Sequence, residues 1–378
     1  MKTGDIFSDG YYKRNRIFMV LIGLWPEYPK RPRIFVQCLA LLSLVSAMIP
    51  QYAFLIKVCD NMDDVIFAFV DQMTVSVALV YYYVFIKNME WIHLTINQIR
   101  EDWRILEKSS ALETLQTYAK RGYLATTFYT WVIFTTGICF SLLPLKPVAL
   151  DIILPLNESR PRTNVLKVDH SIYGIDKDKY YFTISFHGIM NVVLLLNFIV
   201  AVDTFIIILI EHCCGLFEAV GDILRQMQAD ISPEHQHEIL CDAIGVHHRA
   251  LTLADSIEST FTMMYGFIVL VSMILVSLTG IEIILKLGDP AELIRFALYG
   301  GAQIMHLLFV SIPGQEIYDH SSRVLEETYI SKLIYIMLMR SIKPMHLTAG
   351  GFYILCLQSF GNVLKTSFSF FTVLLSSR

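Results

Sequence analysis

Charge is scarce in this sequence. Only 17% of its 378 residues are Asp, Glu, Lys or Arg, where soluble domains carry about a quarter, and a single water-soluble globule is thereby excluded. The charge that exists is balanced: 30 Lys and Arg face 34 Asp and Glu, a formal net charge of −4. Nothing basic calls for nucleic acid. The seven cysteines (Cys38, Cys59, Cys139, Cys213, Cys214, Cys241 and Cys356) include no Cys-x-x-Cys pair and are odd in number. No disulfide framework, metal cluster or redox motif follows from them. His235, His237, His247 and His248 fall in one loop as His-x-His and His-His. Di-metal membrane enzymes need several longer histidine boxes, so these are expected to be solvated cytoplasmic histidines; no enzyme and no cofactor is expected.

What the chain has is apolar residues, 54% of the total, for a mean hydropathy of +0.52. They come in long blocks, and seven blocks reach the roughly twenty residues that a bilayer core requires: 34–56, 65–86, 123–143, 182–210, 261–285, 293–312 and 352–375. An earlier run, 17–25, follows Lys13, Arg14 and Arg16 but leads into Pro26, Glu27, Tyr28 and Pro29, with no small-residue cleavage site. It is expected to be a short helix on the membrane face.

Basic residues orient the spans. Lys2, Lys13, Arg14, Arg16, Lys30, Arg31 and Arg33 precede the first, and Lys87, Arg100, Arg104, Lys108, Lys120 and Arg121 follow the second. The short loops on the other side hold Lys57 and Lys286. The positive-inside rule places the N-terminus in the cytoplasm. The single Asn-x-Ser/Thr sequon, at Asn157, then lies in an extracellular third loop, where it can be glycosylated. Seven spans leave the C-terminus outside. The expected fold is all-α: a polytopic membrane protein with seven transmembrane helices, N-terminus cytoplasmic and C-terminus extracellular.

A G-protein-coupled receptor would have its N-terminus outside, an Asp/Glu-Arg-Tyr in its third helix and Asn-Pro-x-x-Tyr in its last. Here span three begins Arg121-Gly122-Tyr123 and span seven holds no proline. A transporter would show an inverted repeat or paired broken spans, and neither is visible.

The last span carries a stripe at helical spacing: Ser359, Asn362, Thr366, Ser369, Val373 and Ser376. Such a face either lines a water-filled path, with Val373 as its constriction, or lets helices pack closely. The path requires several chains around an axis. Lys365 must snorkel, pair or face water. Asp71, Asp203 and Glu282 are ionisable groups in or near the membrane, and hence functional candidates.

The C-terminal segments Arg340-Ser341-Ile342-Lys343-Pro344, Leu347-Thr348-Ala349-Gly350-Gly351-Phe352 and Ser359-Phe360-Gly361-Asn362 onward to Leu375 strongly resemble the signature of insect odorant receptors. Tyr11-Tyr12-Lys13, Asn15-Arg16 and Gly23-Leu24-Trp25-Pro26 resemble the start of the same family. The middle spans agree in number, length and topology. The resemblance implies an odorant-gated, non-selective channel for monovalent and divalent cations, a tetramer of ligand-sensing subunits and the odorant receptor co-receptor, in the dendritic plasma membrane of olfactory neurons. Its last helix lines the pore and Val373 is the gate. Ser376 stands where the co-receptor has glutamine, which implies a tuning subunit. Gustatory receptors are the nearest alternative, but their Thr-Tyr and Gln-Phe positions are Ser369-Phe370 and Ser376-Ser377 here. The stretch between Tyr329 and Arg340 is shorter than the family's.

The resemblance also implies an apolar pocket for a small volatile in the outer leaflet. Mapped by topology, its residues are Phe69, Gln72, Met73 and Ser76; Thr127, Trp131, Phe134 and Ile138; His187, Met190 and Leu194; and Phe296, Tyr299 and Gln303. Trp131 and Tyr299, large, rigid and amphipathic, are the foremost candidates. The third loop, 144–180, is either a lid on that pocket or passive. The chain is expected to divide into a cytoplasmic segment 1–33 with its short helix, a pocket-bearing body 34–312 with helical extensions over 211–260, a cytoplasmic connection 313–351, and the pore helix 352–378.

Overall fold

Lipid offers no hydrogen bonds, so a long apolar run must satisfy its own backbone and becomes a helix. The computed structural model describes residues 5–8, 10–60, 62–155, 159–160, 162, 164–177, 179–227, 232–327 and 344–376. Asn157 and the segment 328–343, which holds the shortened connection and the Arg340–Lys343 part of the signature, lie outside the described residues.

The helices are α1 (Lys13–Leu21), α2 (Lys30–Lys57), α3 (Met62–Lys87), α4 (Met89–Leu106), α5 (Leu112–Leu142), α6 (Leu145–Ile153), α7 (Tyr181–Leu224), α8 (Pro233–Leu285), α9 (Pro290–Glu327) and α10 (Leu357–Ser376), with a 3-10 turn at His170–Tyr173. Strands β1 (Thr348–Ala349) and β2 (Tyr353–Ile354) form an antiparallel hairpin before α10. Helices α2, α3, α5, α7, α8 and α9 are long and apolar enough to cross a membrane. The seventh expected span differs. Its residues 352–356 belong to the hairpin and its exit, and the helix that follows, α10, has 20 residues and carries Ser, Thr, Asn and Lys.

Helices α7 and α8 have 44 and 53 residues, about 66 Å and about 80 Å at 1.5 Å per residue, against a hydrocarbon core of about 30 Å. They therefore run on well past the bilayer. α7 is the hub, packed against α1, α2, α3, α5, α8 and α9. Every residue from Val200 to Ile210 is buried, which explains an apolar run with no polar face. Phe85 stacks on Phe261 at 5.5 Å, and Trp91 meets Phe261 edge-on at 5.4 Å.

The N-terminal motif folds back onto this bundle. Gly23 has φ +70°, and a side chain there would meet the Arg33 carbonyl at 2.9 Å. That turn buries Leu24 and Trp25, and Trp25 packs on Phe7 at 5.3 Å. Arg100 of α4 clasps Asp5 at 3.0 Å and Glu27. Its hydrogen bonds hold the Glu27 carboxyl below the ordinary carboxylate range.

The hairpin is the second fixture. Gly350 and Gly351, at φ +67° and +79°, make its turn, which other residues take only with strain. It docks on α8 through Glu258, Thr262 and Gly266, spaced four apart and so on one face. The Thr348 amide donates to Glu258 at 2.7 Å, the Gly350 amide to the Thr262 carbonyl at 2.7 Å, and the Gly351 amide to the Thr262 hydroxyl at 3.2 Å. A Cβ on Gly266 would sit 2.8 Å from the Gly350 nitrogen. From there α10 lies along α8 and α9: the Ser277 hydroxyl donates to the Ser367 carbonyl at 3.0 Å, and Phe371 covers Gly280.

Candidate ligand cavity and last helix

Between α2, α3, α5, α7, α8 and α9, toward the third loop, lies a cavity of about 130 Å³. Its wall is mostly apolar: Leu44, Ala47, Val75, Val77, Ile133, Gly137, Phe140, Val192, Leu195, Leu196, Ile199, Leu275 and Ala302, with the Tyr299 ring. Leu166 of the third loop also lines it. That loop is tied down. The Asp169 amide donates to the Pro50 carbonyl at 2.9 Å, Lys57 pairs with Asp169 at 2.9 Å, and Lys167 with Asp64 at 3.4 Å. Partial burial raises the Asp169 pKa, but hydrogen bonds from Lys57 and Ser171 outweigh it and bring the group to about 2. The loop is thus fastened to α2 and α3 and contributes Leu166 to the wall.

The polar lining falls into two sets. In the first, hydrogen bonds are already made: the Tyr299 hydroxyl is bonded to Thr74 and donates to the Val70 carbonyl at 3.3 Å, and Asn191 is bonded to Ser43 at 2.9 Å and His187 at 3.1 Å. His306 meets the buried Asp203 at 3.1 Å, where Tyr81 donates to that carboxylate at 2.5 Å and Tyr129 donates to it as well. These are the partners of Asp203 that the sequence could not name. In the second set, both amide atoms of Gln51 and Oδ2 of Asp71 have no protein partner.

Tyr299 and Gln303 line the cavity; the other twelve expected pocket residues do not. Trp131, Ile138 and Met190 are 70%, 60% and 49% exposed on the outside of the bundle. Phe134 stacks on Phe18, Thr127 takes a 2.7 Å hydrogen bond from Arg14, and Phe296 is buried against Phe67. His187 is engaged by Ser46 at 2.9 Å. Ser76 donates to the Gln72 carbonyl at 2.9 Å; Gln72 is buried, and Phe69, Met73 and Leu194 are half-buried. The physical reason is helix rotation. On α5 the lining is Ile133, Thr136, Gly137 and Phe140; Ile133, Thr136 and Phe140 each stand two places on from an expected residue and so on the opposite face, since two residues turn a helix by about 200°.

Along α10 the expected stripe is turned away from the rest of the chain. Asn362, Thr366, Ser369, Val373 and Ser376 are exposed, Val373 by 62%, and Ser359 is half-buried. Val363 and Ser367, on the other side, are buried. The hydroxyls of Thr366, Ser369 and Ser376 donate to carbonyls of their own helix at 2.8, 3.0 and 2.8 Å. Lys365 is exposed on the same outer side.

A family model described as 7tm Odorant receptor matches residues 61–368, most of this bundle. The chain belongs to the 7tm odorant receptor family. Odorant receptor 13a of Drosophila melanogaster is 23% identical over 326 residues, 75% of each chain. The fold is that of the insect olfactory receptor OR5 from Machilis hrabei. With eugenol bound, OR5 superposes at a TM-score of 0.77, with 15% identity over 97% of both chains; without it, at 0.74, with 14% identity over 99% of both. This receptor is thus a multi-pass membrane protein of the odorant-receptor fold.

Proposed function

We propose that this receptor is the ligand-tuning subunit of an odorant-gated, non-selective cation channel, assembled with the odorant receptor co-receptor as a tetramer. One observation carries the reading. A short stretch of α8 faces both the cavity and the last helix: Ser272 and Leu275 line the cavity, while the Met273 carbonyl accepts from Ser367 at 3.3 Å and Ser277 bonds the Ser367 carbonyl at 3.0 Å. A ligand that displaces this stretch must displace α10.

The ligand's size follows from the space. An apolar cavity of about 150 Å³ holds benzene, so one of about 130 Å³ suits a volatile with a single small ring or a short chain. The related OR5 was solved with eugenol, which supports a small organic ligand here. The exposed polar stripe on α10, useless to a lone chain in lipid, suits a shared axis with Val373 as its constriction. Gating then requires tighter ligand binding in the open state than in the closed one. The N-terminus is cytoplasmic and the setting is the dendritic membrane of olfactory neurons.

The test is whole-cell current to a panel of volatiles in cells expressing this chain with the co-receptor, or either alone, with Val373→Ala as a paired variant. The reading expects a cation current in the pair and altered basal leak in the variant. Evoked current that requires G proteins in excised patches overturns it.

A further inference from the structure

Two buried side chains of the cavity wall carry polar atoms without protein partners: Gln51, and Asp71, whose carboxylate otherwise takes the Lys167 backbone N–H. Gln51 is 1% exposed and Asp71 8%, and both line the cavity. Neither amide atom of Gln51 and not Oδ2 of Asp71 meets a hydrogen-bonding group of the chain. Native proteins leave few buried polar groups unpaired, and each calls for an explanation. Tyr299, Asn191 and His306 have the partners described above, and the Thr136 hydroxyl donates to the Val132 carbonyl at 2.9 Å. Among the described lining residues, the fully buried atoms left without partners belong to these two, from two helices facing one space.

Their chemistry is specific. A carboxylate oxygen only accepts, whereas a primary amide offers both donors and an acceptor. A hydroxyl group serves both residues: its hydrogen goes to Asp71 and its oxygen takes an N–H of Gln51, leaving only the Gln51 amide oxygen unserved. A cation is disfavoured because two cationic side chains, the buried Arg295 and Lys167, already act on Asp71. An ether or ketone takes the Gln51 N–H but leaves Asp71 bare, and a hydrocarbon serves neither residue.

We infer that the receptor's cavity selects small volatiles carrying one hydroxyl group, alcohols or phenols, through Asp71 and Gln51. This rests on the reading of the cavity as the odorant site, and the experiment separates the two. The full-length receptor in lipid nanodiscs is titrated with the shape-matched pairs phenol and toluene, and benzyl alcohol and ethylbenzene, together with benzylamine. Binding is read from thermal midpoint against concentration. Wild type should bind each hydroxyl compound about tenfold to a hundredfold tighter than its hydrocarbon twin, the consequence of leaving buried partners unpaired. Gln51→Leu should shrink that ratio, tighten toluene binding, and raise the ligand-free midpoint because an unsatisfied amide has gone. Asp71→Asn, an independent variant, should also reduce the ratio. Equal binding within each pair overturns the selectivity and leaves the cavity reading standing, as expected if enclosed water already serves these groups. Preference for benzylamine overturns it in favour of a cation site. No binding by any of the five overturns both.

Discussion

Gly266→Ala is the sharpest steric test of how the last helix is anchored. The added methyl would lie 2.8 Å from the Gly350 nitrogen and 2.9 Å from its Cα, both backbone atoms of a turn that cannot swing aside as a side chain can. Reaching an ordinary 3.4 Å from 2.8 Å requires a shift of about 0.6 Å. A hairpin lifted by that much stretches the 2.7 Å bonds of Thr348 to Glu258 and of Gly350 to Thr262 toward the weak end of their range without breaking them. The cost is therefore that of overpacking, about 1–3 kcal/mol, and not the sum of the lost bonds. Gly245 lies in the same helix, is exposed, and has open space where a Cβ would go. There Ala should stabilise by about 0.8–1 kcal/mol through helix propensity alone. The assay is thermal unfolding of both variants in nanodiscs, with amide exchange of residues 348–355. Gly266→Ala should lower the midpoint and deprotect the hairpin, and Gly245→Ala should raise the midpoint and leave the hairpin unchanged. A shift of the same sign in both would refute the argument.

Other expectations follow from the same contacts. Asp203→Ala, which strands Tyr81, Tyr129 and His306 around a buried hole, should destabilise by about 3–5 kcal/mol, measured as loss of folded receptor on heating. Trp131→Ala, on the outer face, should leave odorant potency within about twofold, whereas Tyr299→Ala, in the cavity wall, should shift it about tenfold or more. The Asp169 carboxyl, depressed from 3.8 to about 2, contributes stability that is complete above its ordinary pKa and disappears as pH falls toward 2. The thermal midpoints of wild type and Lys57→Ala should accordingly converge on acidification.

Long helices were legible because lipid imposes apolar runs of a set length, and α7 is read off the chain almost unaided up to Ile210. Its continuation to Leu224 was legible only as a periodicity, since Ile223 and Leu224 sit among Glu218 and Asp222. Rotation was not legible. A membrane helix is apolar toward lipid and toward its neighbours alike, so the pattern that orients a soluble helix vanishes, and Trp131 and Ile133 are equally plausible until their surroundings are known. α10 is the counterexample: its Ser, Thr and Asn stripe marks a face, and that face is the exposed one. The Asp203 cluster was hidden for another reason, because its partners Tyr81, Tyr129 and His306 come from three helices far apart in the chain. Gln51 and Asp71 carry no local signal that they share a cavity.

The central claim is that a volatile in the cavity opens a pore lined by α10 at Val373. Val373→Cys, expressed with the co-receptor, tests it through the effect of a charged, membrane-impermeant thiol reagent on the odorant-evoked current. Wild type is the reference, since Cys38, Cys59, Cys139 and Cys241 are also exposed. The account predicts modification that changes the current irreversibly in the variant alone, faster when odorant is present. A variant that reaches the surface, responds to odorant and is indifferent to the reagent in both conditions would place Val373 away from the ion path and contradict it.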